Sequence, residues 1–293
     1  MTTLVLKLVL TPSVMVGATL AGRRWGGAVS GWLIGLPLTS GPLVFYLALD
    51  HGRRFAAHTA VGSLSGAIAE VAFCLAYGLA ARRGWKIAVL TASAGFVAAA
   101  VALQALPLGL ALPMPLLPLL AAVVLALAAG LLLLPHPRER TPAAVRTPRW
   151  DLAARAAVAT CLVVALAALA PTIGARLTGL LAVYPLYSAV LAAFAHRLQG
   201  QAAALGLLRG LLVGLFSFTA FYAVLGALLA RTGTATAFGS AVAAALLVQA
   251  GSLWPLRRLA RSRSEATLSA WERSTRASTR SSAPGSSGST SSS

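Results

Sequence analysis

Ser30-Gly-Trp-Leu-Ile-Gly-Leu-Pro-Leu-Thr-Ser40 and Thr178-Gly-Leu-Leu-Ala-Val-Tyr-Pro-Leu-Tyr-Ser188 carry one pattern written twice. At an offset of 148 positions the register runs without a gap from Gly26 to Arg83 on Gly174 to Arg231. Gly26, Gly31, Gly52, Gly62, Gly66 and Gly78 fall on Gly174, Gly179, Gly200, Gly210, Gly214 and Gly226, and Pro37-Leu38 and Ser40 fall on Pro185-Leu186 and Ser188. Chance would give fewer than about one glycine match in such a window, so the chain reads as an internal duplication.

The surroundings of both copies are apolar. Of 293 residues 58% are hydrophobic and 10% charged, with a mean hydropathy of +0.82. A water-soluble domain carries about 25% charged residues, so this chain cannot cover itself with solvated groups. Its solvent is the lipid bilayer. Apolar runs between charged or Gly/Pro breaks predict an all-α polytopic bundle of nine spans near 3–21, 26–48, 57–81, 86–106, 113–134, 152–171, 177–196, 203–230 and 235–256. This divides the chain into a first four-helix membrane repeat (1–110), a linking transmembrane helix (111–134), a cytoplasmic loop (135–151), a second four-helix repeat (152–258) and a tail (259–293). The tail is Arg, Ser and Thr with Pro284 and Gly285, a composition that predicts disorder. For its end, 286–293, a native tail and an appended or frameshifted segment read alike. The first span aligns with 151–169 and is therefore expected to be retained and not to serve as a signal peptide.

Charge placement orients the nine spans. One face receives Lys7, Arg53, Arg54, Arg176 and Arg231; the other receives Arg23, Arg24, Arg82, Arg83, Lys86, Arg138, Arg140, Arg146, Arg149, Arg155, Arg197 and Arg209. The positive-inside rule makes the second face cytoplasmic, with the N-terminus outside and the C-terminus inside. Four spans, one linker and four spans place the second repeat upside down relative to the first, a 4+1+4 inverted-topology repeat. Many secondary transporters are built this way, with a binding site near the midplane formed by interrupted helices. The net charge of +18 marks orientation and contact with anionic headgroups; it does not form a nucleic-acid surface.

The stretch Leu177 to His196, followed by Gly200, Gly210, Phe221 and Tyr222, resembles GlpM-like proteins of the bacterial inner membrane. Ser30 to Ser40 is a weaker match to the same pattern. The resemblance implies a bacterial inner-membrane location and a fused pair of four-helix units. It also implies a loose link to envelope polysaccharide production, without an established activity.

Few residues could carry chemistry. Pro37 and Pro185 lie near the centres of predicted spans, where each would free the carbonyl four residues earlier, Leu33 or Leu181. Thr39, Ser40, Tyr184, Tyr187 and Ser188 could supply hydroxyls to these carbonyls, or water or substrate could enter. Glu70 is the one acid well inside a span, where a carboxylate costs roughly 2.5–3.5 kcal/mol on insertion scales. Gly62, Gly66, Glu70, Cys74 and Gly78 recur every four residues and predict a helix-packing face; Gly206, Gly210, Gly214, Phe218, Tyr222 and Gly226 form its counterpart. Glu70 is thus expected to face a neighbouring helix and exchange a proton for a cationic or polar substrate, with Phe218 and Tyr222 lining the opposite wall. The alternative is a neutral, hydrogen-bonded structural carboxyl.

Other polar residues read as structural. His58 is expected to be solvated, Arg209 to snorkel to the cytoplasmic face, and Gln104 and Gln249 to bond between helices. Trp25, Trp85, Trp150 and Trp254 are expected to anchor at the interfaces. Cys74 and Cys161 lie inside apolar runs as packing residues, and no spacing for a metal site, a cofactor fingerprint or hydrolytic chemistry occurs. The sequence therefore predicts a small secondary transporter or exporter of a small molecule or lipid-like precursor. It is read as having no enzymatic activity, cofactor or metal, and as a possible homo-oligomer. The alternative is a non-transporting accessory or scaffold protein partnered with an envelope-assembly complex.

Overall fold

In a computed structural model the protein is described at residues 13, 16–21, 23–37, 40–50, 52–105, 116–135, 153, 154, 157, 158, 161 and 184–252. Thr39, Leu181, the loop 135–151 beyond its first residue, most of the predicted spans 3–21 and 152–171, and the tail 259–293 lie outside these residues. The described residues are helical, with no strand among them. In chain order the helices are α1 (Gly27–Ile34), α2 (Ser40–Asp50), α3 (Arg53–Ala80), α4 (Trp85–Ala105), α5 (Leu116–Leu133), α6 (Leu186–Gln199), α7 (Gln201–Leu228) and α8 (Thr234–Ser252). A single 3-10 turn, Ala81–Arg83, joins α3 to α4. The chain forms two units, 1–249 and 250–293, and the helical bundle belongs to the first.

Five helical stretches are long and apolar enough to cross a membrane: Arg53–Arg83, Trp85–Leu103, Leu116–Leu133, Gln201–Leu228 and Thr234–Ser252. They are rich in Ala and Leu, the strongest helix formers, and away from the helix ends the backbone polar groups are satisfied within each helix. Burial separates centre from periphery. In α3 and α7, 56% of the membrane-spanning window is buried, against 17–22% for α4, α5 and α8, whose remaining surface is left to lipid. The two central helices are 28 residues each and their bounds differ by the 148-residue offset at both ends. Gly52 (φ 86°, ψ 162°) and Gly200 (φ 89°, ψ 173°) precede them in nearly the same conformation, one that L side chains rarely adopt.

α3 and α7 run antiparallel. Val61 lies against Gly226 at one end, and further along both Val71 and Leu212 contact Gly130 of α5. At the start of α3 the Arg53 guanidinium donates to the Thr232 carbonyl, 2.6 Å away and just beyond α7. α3 also packs on α2, α4 and α5, while α7 packs on α1, α5 and α6.

The tightest contact joins α1 to α7, which run parallel. Ala28 and Trp32 carbonyls lie on Gly210 and Gly214, and the Leu207 carbonyl lies on Gly31. A Cβ on Gly35 would sit 2.5 Å from the Gly214 carbonyl carbon. Glycine at these positions lets backbone meet backbone, the packing that dispersion favours where lipid removes the hydrophobic drive. Gly210 and Gly214 are thus packing residues, as expected. Gly62 is not: it is exposed, and a Cβ there would meet nothing within 4 Å, so the four-residue spacing on α3 does not make one continuous packing face. Gly66 is half-buried, and Gly78 packs on Leu134 and Pro135 beyond the end of α5.

Arg209 is held by backbone at a helix end. Its Nη2 donates to the carbonyls of Leu131 and Leu134 at 3.0 and 2.8 Å, capping the C-terminus of α5. A cation there completes orphan acceptors and opposes the negative end of the helix dipole. Trp85 sits between Lys86 and Arg197, with cations 5.8 and 5.9 Å from its ring, and Trp25 lies 64% exposed beside Arg24. His58 is exposed, Cys74 is buried and Cys161 is exposed.

The backbone contact generates a stability prediction. Gly210→Ala and Gly31→Ala lower the stability of the detergent-solubilised protein by about 1–3 kcal/mol through overpacking. Gly206→Ala, which adds a methyl to open space, leaves it unchanged or raises it by up to about 1 kcal/mol. Thermal unfolding of the three variants measures the difference.

Candidate functional site

The predicted span 26–48 is two helices. α1 stops at Ile34, the chain turns through Gly35 to Pro37, and α2 starts at Ser40. Pro37 has no N–H for the Leu33 carbonyl, yet that carbonyl is not left open: the Leu36 N–H tightens onto it at 3.2 Å. The donor so diverted would have served Trp32. Its carbonyl instead accepts from Gln249 Nε2 of α8 at 3.1 Å. The orphaned acceptor is thus displaced by one residue from the expected position, and an amide from another helix fills it. Gln249 bonds between helices as expected; the side chain of Gln104 lies outside the described residues.

Pro185 breaks the chain by a different turn. With φ −75° and ψ 61° it centres an inverse γ-turn in which the Leu186 N–H donates to the Tyr184 carbonyl at 2.7 Å. α6 starts immediately after it, and the Ala189 N–H donates to the Pro185 carbonyl at 2.9 Å. In both places a serine follows three residues after the proline, at Ser40 and Ser188.

The two serines reach across to the long helix of the other copy. Ser188 on α6, 1% exposed, donates its hydroxyl to Glu70 Oε1 of α3 at 3.3 Å. Ser40 on α2 stands beside Tyr222 of α7 with Ser63 of α3 as the other neighbouring hydroxyl. The Tyr222 ring is fully buried and its phenolic oxygen closes no hydrogen bond; Ser63 donates its own proton to the Thr59 carbonyl at 3.0 Å. The second polar group of this pair therefore retains unused bonding capacity.

Aromatic rings border each pair. Near Glu70, Tyr184 stands edge-on to Phe73 and Phe96, with centroids 6.3 and 5.6 Å apart, and its hydroxyl meets Ser93 Oγ at 2.7 Å. Tyr222 packs on Phe218 at 4.5 Å and Phe221 at 5.1 Å. Phe218, aligned with Glu70 in the repeat, is therefore part of the tyrosine group. Tyr187 is half-buried against the apolar core. Pro37, Ser40, Phe218 and Tyr222 thus belong to one region, and Glu70, Tyr184, Pro185 and Ser188 to the other.

Sequence reasoning missed Ser63, Ser93, Tyr77 and His196. Tyr77 Oη lies 3.0 Å from His196 Nδ1 and 3.2 Å from the Ala192 carbonyl, extending the α3–α6 seam beyond Glu70 and Ser188. Ser188 and His196 are eight apart on α6, and Glu70 and Tyr77 are seven apart on α3. That spacing was available as a signal of two facing polar stripes. A separate open apolar cavity of ≈ 580 Å³ beside Gly17, Ala21, Trp25 and Leu33 includes neither serine nor Glu70 in its lining. Among the described residues no three His, Cys, Asp or Glu side chains are grouped to hold a metal.

The filled carbonyl supplies a local test. Gln249→Leu removes the hydrogen bond to the Trp32 carbonyl and costs about 1–3 kcal/mol, read as a lower unfolding temperature, whereas Gln249→Asn tests whether the shorter amide still reaches. Comparison with family models, with curated proteins and with solved structures gave no match for this chain.

Proposed function

We propose that the protein is a small secondary transporter or exporter of the bacterial inner membrane, with its two copies of the repeat in inverted orientation. The full bundle would be nine spans arranged 4+1+4, with the N-terminus outside and the C-terminus cytoplasmic. One observation carries this reading: the chain turns at Pro37 between α1 and α2 and at Pro185 into the start of α6, and the serine three residues beyond each proline meets the central helix of the other copy. Interrupted helices at a repeat interface are how many transporters expose polar groups to a substrate within the bilayer. The antiparallel packing of α3 and α7, whose bounds correspond at the 148-residue offset, supports the inverted relation. The motif at Leu177 to His196 supports a fused pair of GlpM-like units and the bacterial inner membrane.

In this reading the copies rock against each other about the glycine contact, opening the Ser40 and Ser188 regions to opposite sides in turn. Glu70 exchanges a proton as substrate enters or leaves. The moving joints are Gly35 to Pro37 and Tyr184 to Pro185, where helical hydrogen bonding is already interrupted.

Ser40→Cys and Ser188→Cys, each placed in a background with Cys74 and Cys161 replaced by Ala, test the motion directly. Each cysteine reacts with a membrane-impermeant maleimide in both right-side-out and inside-out vesicles if access alternates. Labelling of neither, or of each from one side alone, is the result of a static accessory or scaffold protein and removes the transport reading.

A further inference from the structure

Within the described membrane-spanning side chains Glu70 is the one carboxylate, and its recorded polar partner is the hydroxyl of Ser188. The charged and titratable groups on the helices around α3 are engaged elsewhere. Lys86 of α4 and Arg197 of α6 flank Trp85, and Arg209 of α7 caps α5. His196 of α6 meets Tyr77, and Tyr222 of α7 sits among Phe218, Phe221 and the Ser40 and Ser63 hydroxyls. Cys74 is buried one turn along α3 from Glu70; α5 has no ionisable residue, and α2 contributes Tyr46 and Asp50 from its C-terminal half. Among the described residues no cation lies within ion-pair distance of Glu70. When ionised, this carboxylate requires a positive charge that the described chain does not supply.

The rest of the surroundings specify what kind of positive charge fits. Glu70 as a residue is half-buried. Phe73 lies three residues along α3 from Glu70, and Tyr184, two residues before α6 and four before Ser188, stands edge-on to Phe73 and Phe96. A sugar or an amino acid would need several fixed polar partners to replace its hydration. The described surroundings of the carboxyl are one serine and, within one turn of Glu70 along α3, the aromatic ring of Phe73. That combination suits a cation with few hydrogen-bond donors and an apolar body, whose charge is met by the carboxylate and by ring faces.

We propose that the substrate class is a lipophilic monovalent cation, bound at Glu70 and Ser188 against Tyr184 and Phe73, and exchanged for one proton. This rests on the transporter reading above. Charge balances at the site: the carboxyl releases its proton to water on the side from which the cation enters, and the cation replaces it as counter-charge. Protonation on the opposite side releases the cation.

The test uses the full chain in lipid nanodiscs and tetraphenylphosphonium, a permanently charged probe whose own charge does not change with pH. Calorimetry is expected to show saturable binding at pH 8.5 that weakens at least about tenfold at low pH, because a proton and the probe compete for one carboxylate. Glu70→Gln abolishes binding and Glu70→Asp retains it; Tyr184→Leu weakens it while Tyr184→Phe restores most of it. Monodisperse elution and an unfolding temperature near that of wild type establish that the variants fold; if Glu70→Gln does not, the wild-type pH competition and Glu70→Asp decide. Absence of binding at pH 8.5, binding unaffected by pH, or binding retained in folded Glu70→Gln overturns the proposal. If that occurs while Ser40→Cys and Ser188→Cys still label from both sides, the substrate class is wrong and transport stands. If labelling fails as well, the transporter reading falls with it.

Discussion

The contact of α1 with α7 through Gly31, Gly35, Gly210 and Gly214 fixes where much of the bundle lies. In lipid there is no gain from removing apolar surface from water, so association depends on close packing and on satisfied polar groups. Two backbones touching along two turns achieve the first. The second follows because α1, held against α7, ends where Gln249 of α8 reaches the Trp32 carbonyl. The interruption at Pro37 is therefore compatible with the membrane because three elements converge on it. The same placement sets Ser40, the first residue of α2, beside Tyr222 of α7.

Much of the helical architecture was legible in the sequence because lipid imposes a blunt rule: a run of about 20 apolar residues must be helical to satisfy its backbone. The runs at 57–81, 86–106, 113–134, 203–230 and 235–256 correspond to α3, α4, α5, α7 and α8. The duplicated glycines pointed to the joints Gly52 and Gly200, whose backbone angles nearly coincide. Less legible was which glycines touch anything. Gly62 and Gly210 occupy matched positions, yet one faces open space and the other the Ala28 carbonyl. Spacing along one helix records a face; it does not record the neighbour that will cover it.

The candidate site divides in the same way. Glu70 was conspicuous because a carboxylate in a span is costly, and its contact with a neighbouring helix followed from that cost. Its partner was not legible in particular, since Ser188 was one of several hydroxyls near Pro185. The carbonyl released by Pro37 was predicted at Leu33 from ideal α geometry; a local tightening to the three-residue bond moved the vacancy to Trp32. The acceptors of Arg209 were not legible either, because they lie at the end of a separate helix, 75 residues away in sequence.

The joints at Gly52 and Gly200 bear on how the protein enters its membrane. Two residues separate α2 from α3 and one separates α6 from α7. A connection that short cannot hold one helix in the bilayer while its neighbour waits in water, because the intervening backbone would have to cross the interface unpaired. Each pair is therefore a unit of insertion, a helical hairpin that leaves the ribosome with its turn already specified by a glycine. Since α3 and α7 run in opposite directions, the two hairpins approach with opposite polarity. In the inverted arrangement proposed above, biogenesis has to deliver the same kind of folded unit twice, once in each orientation.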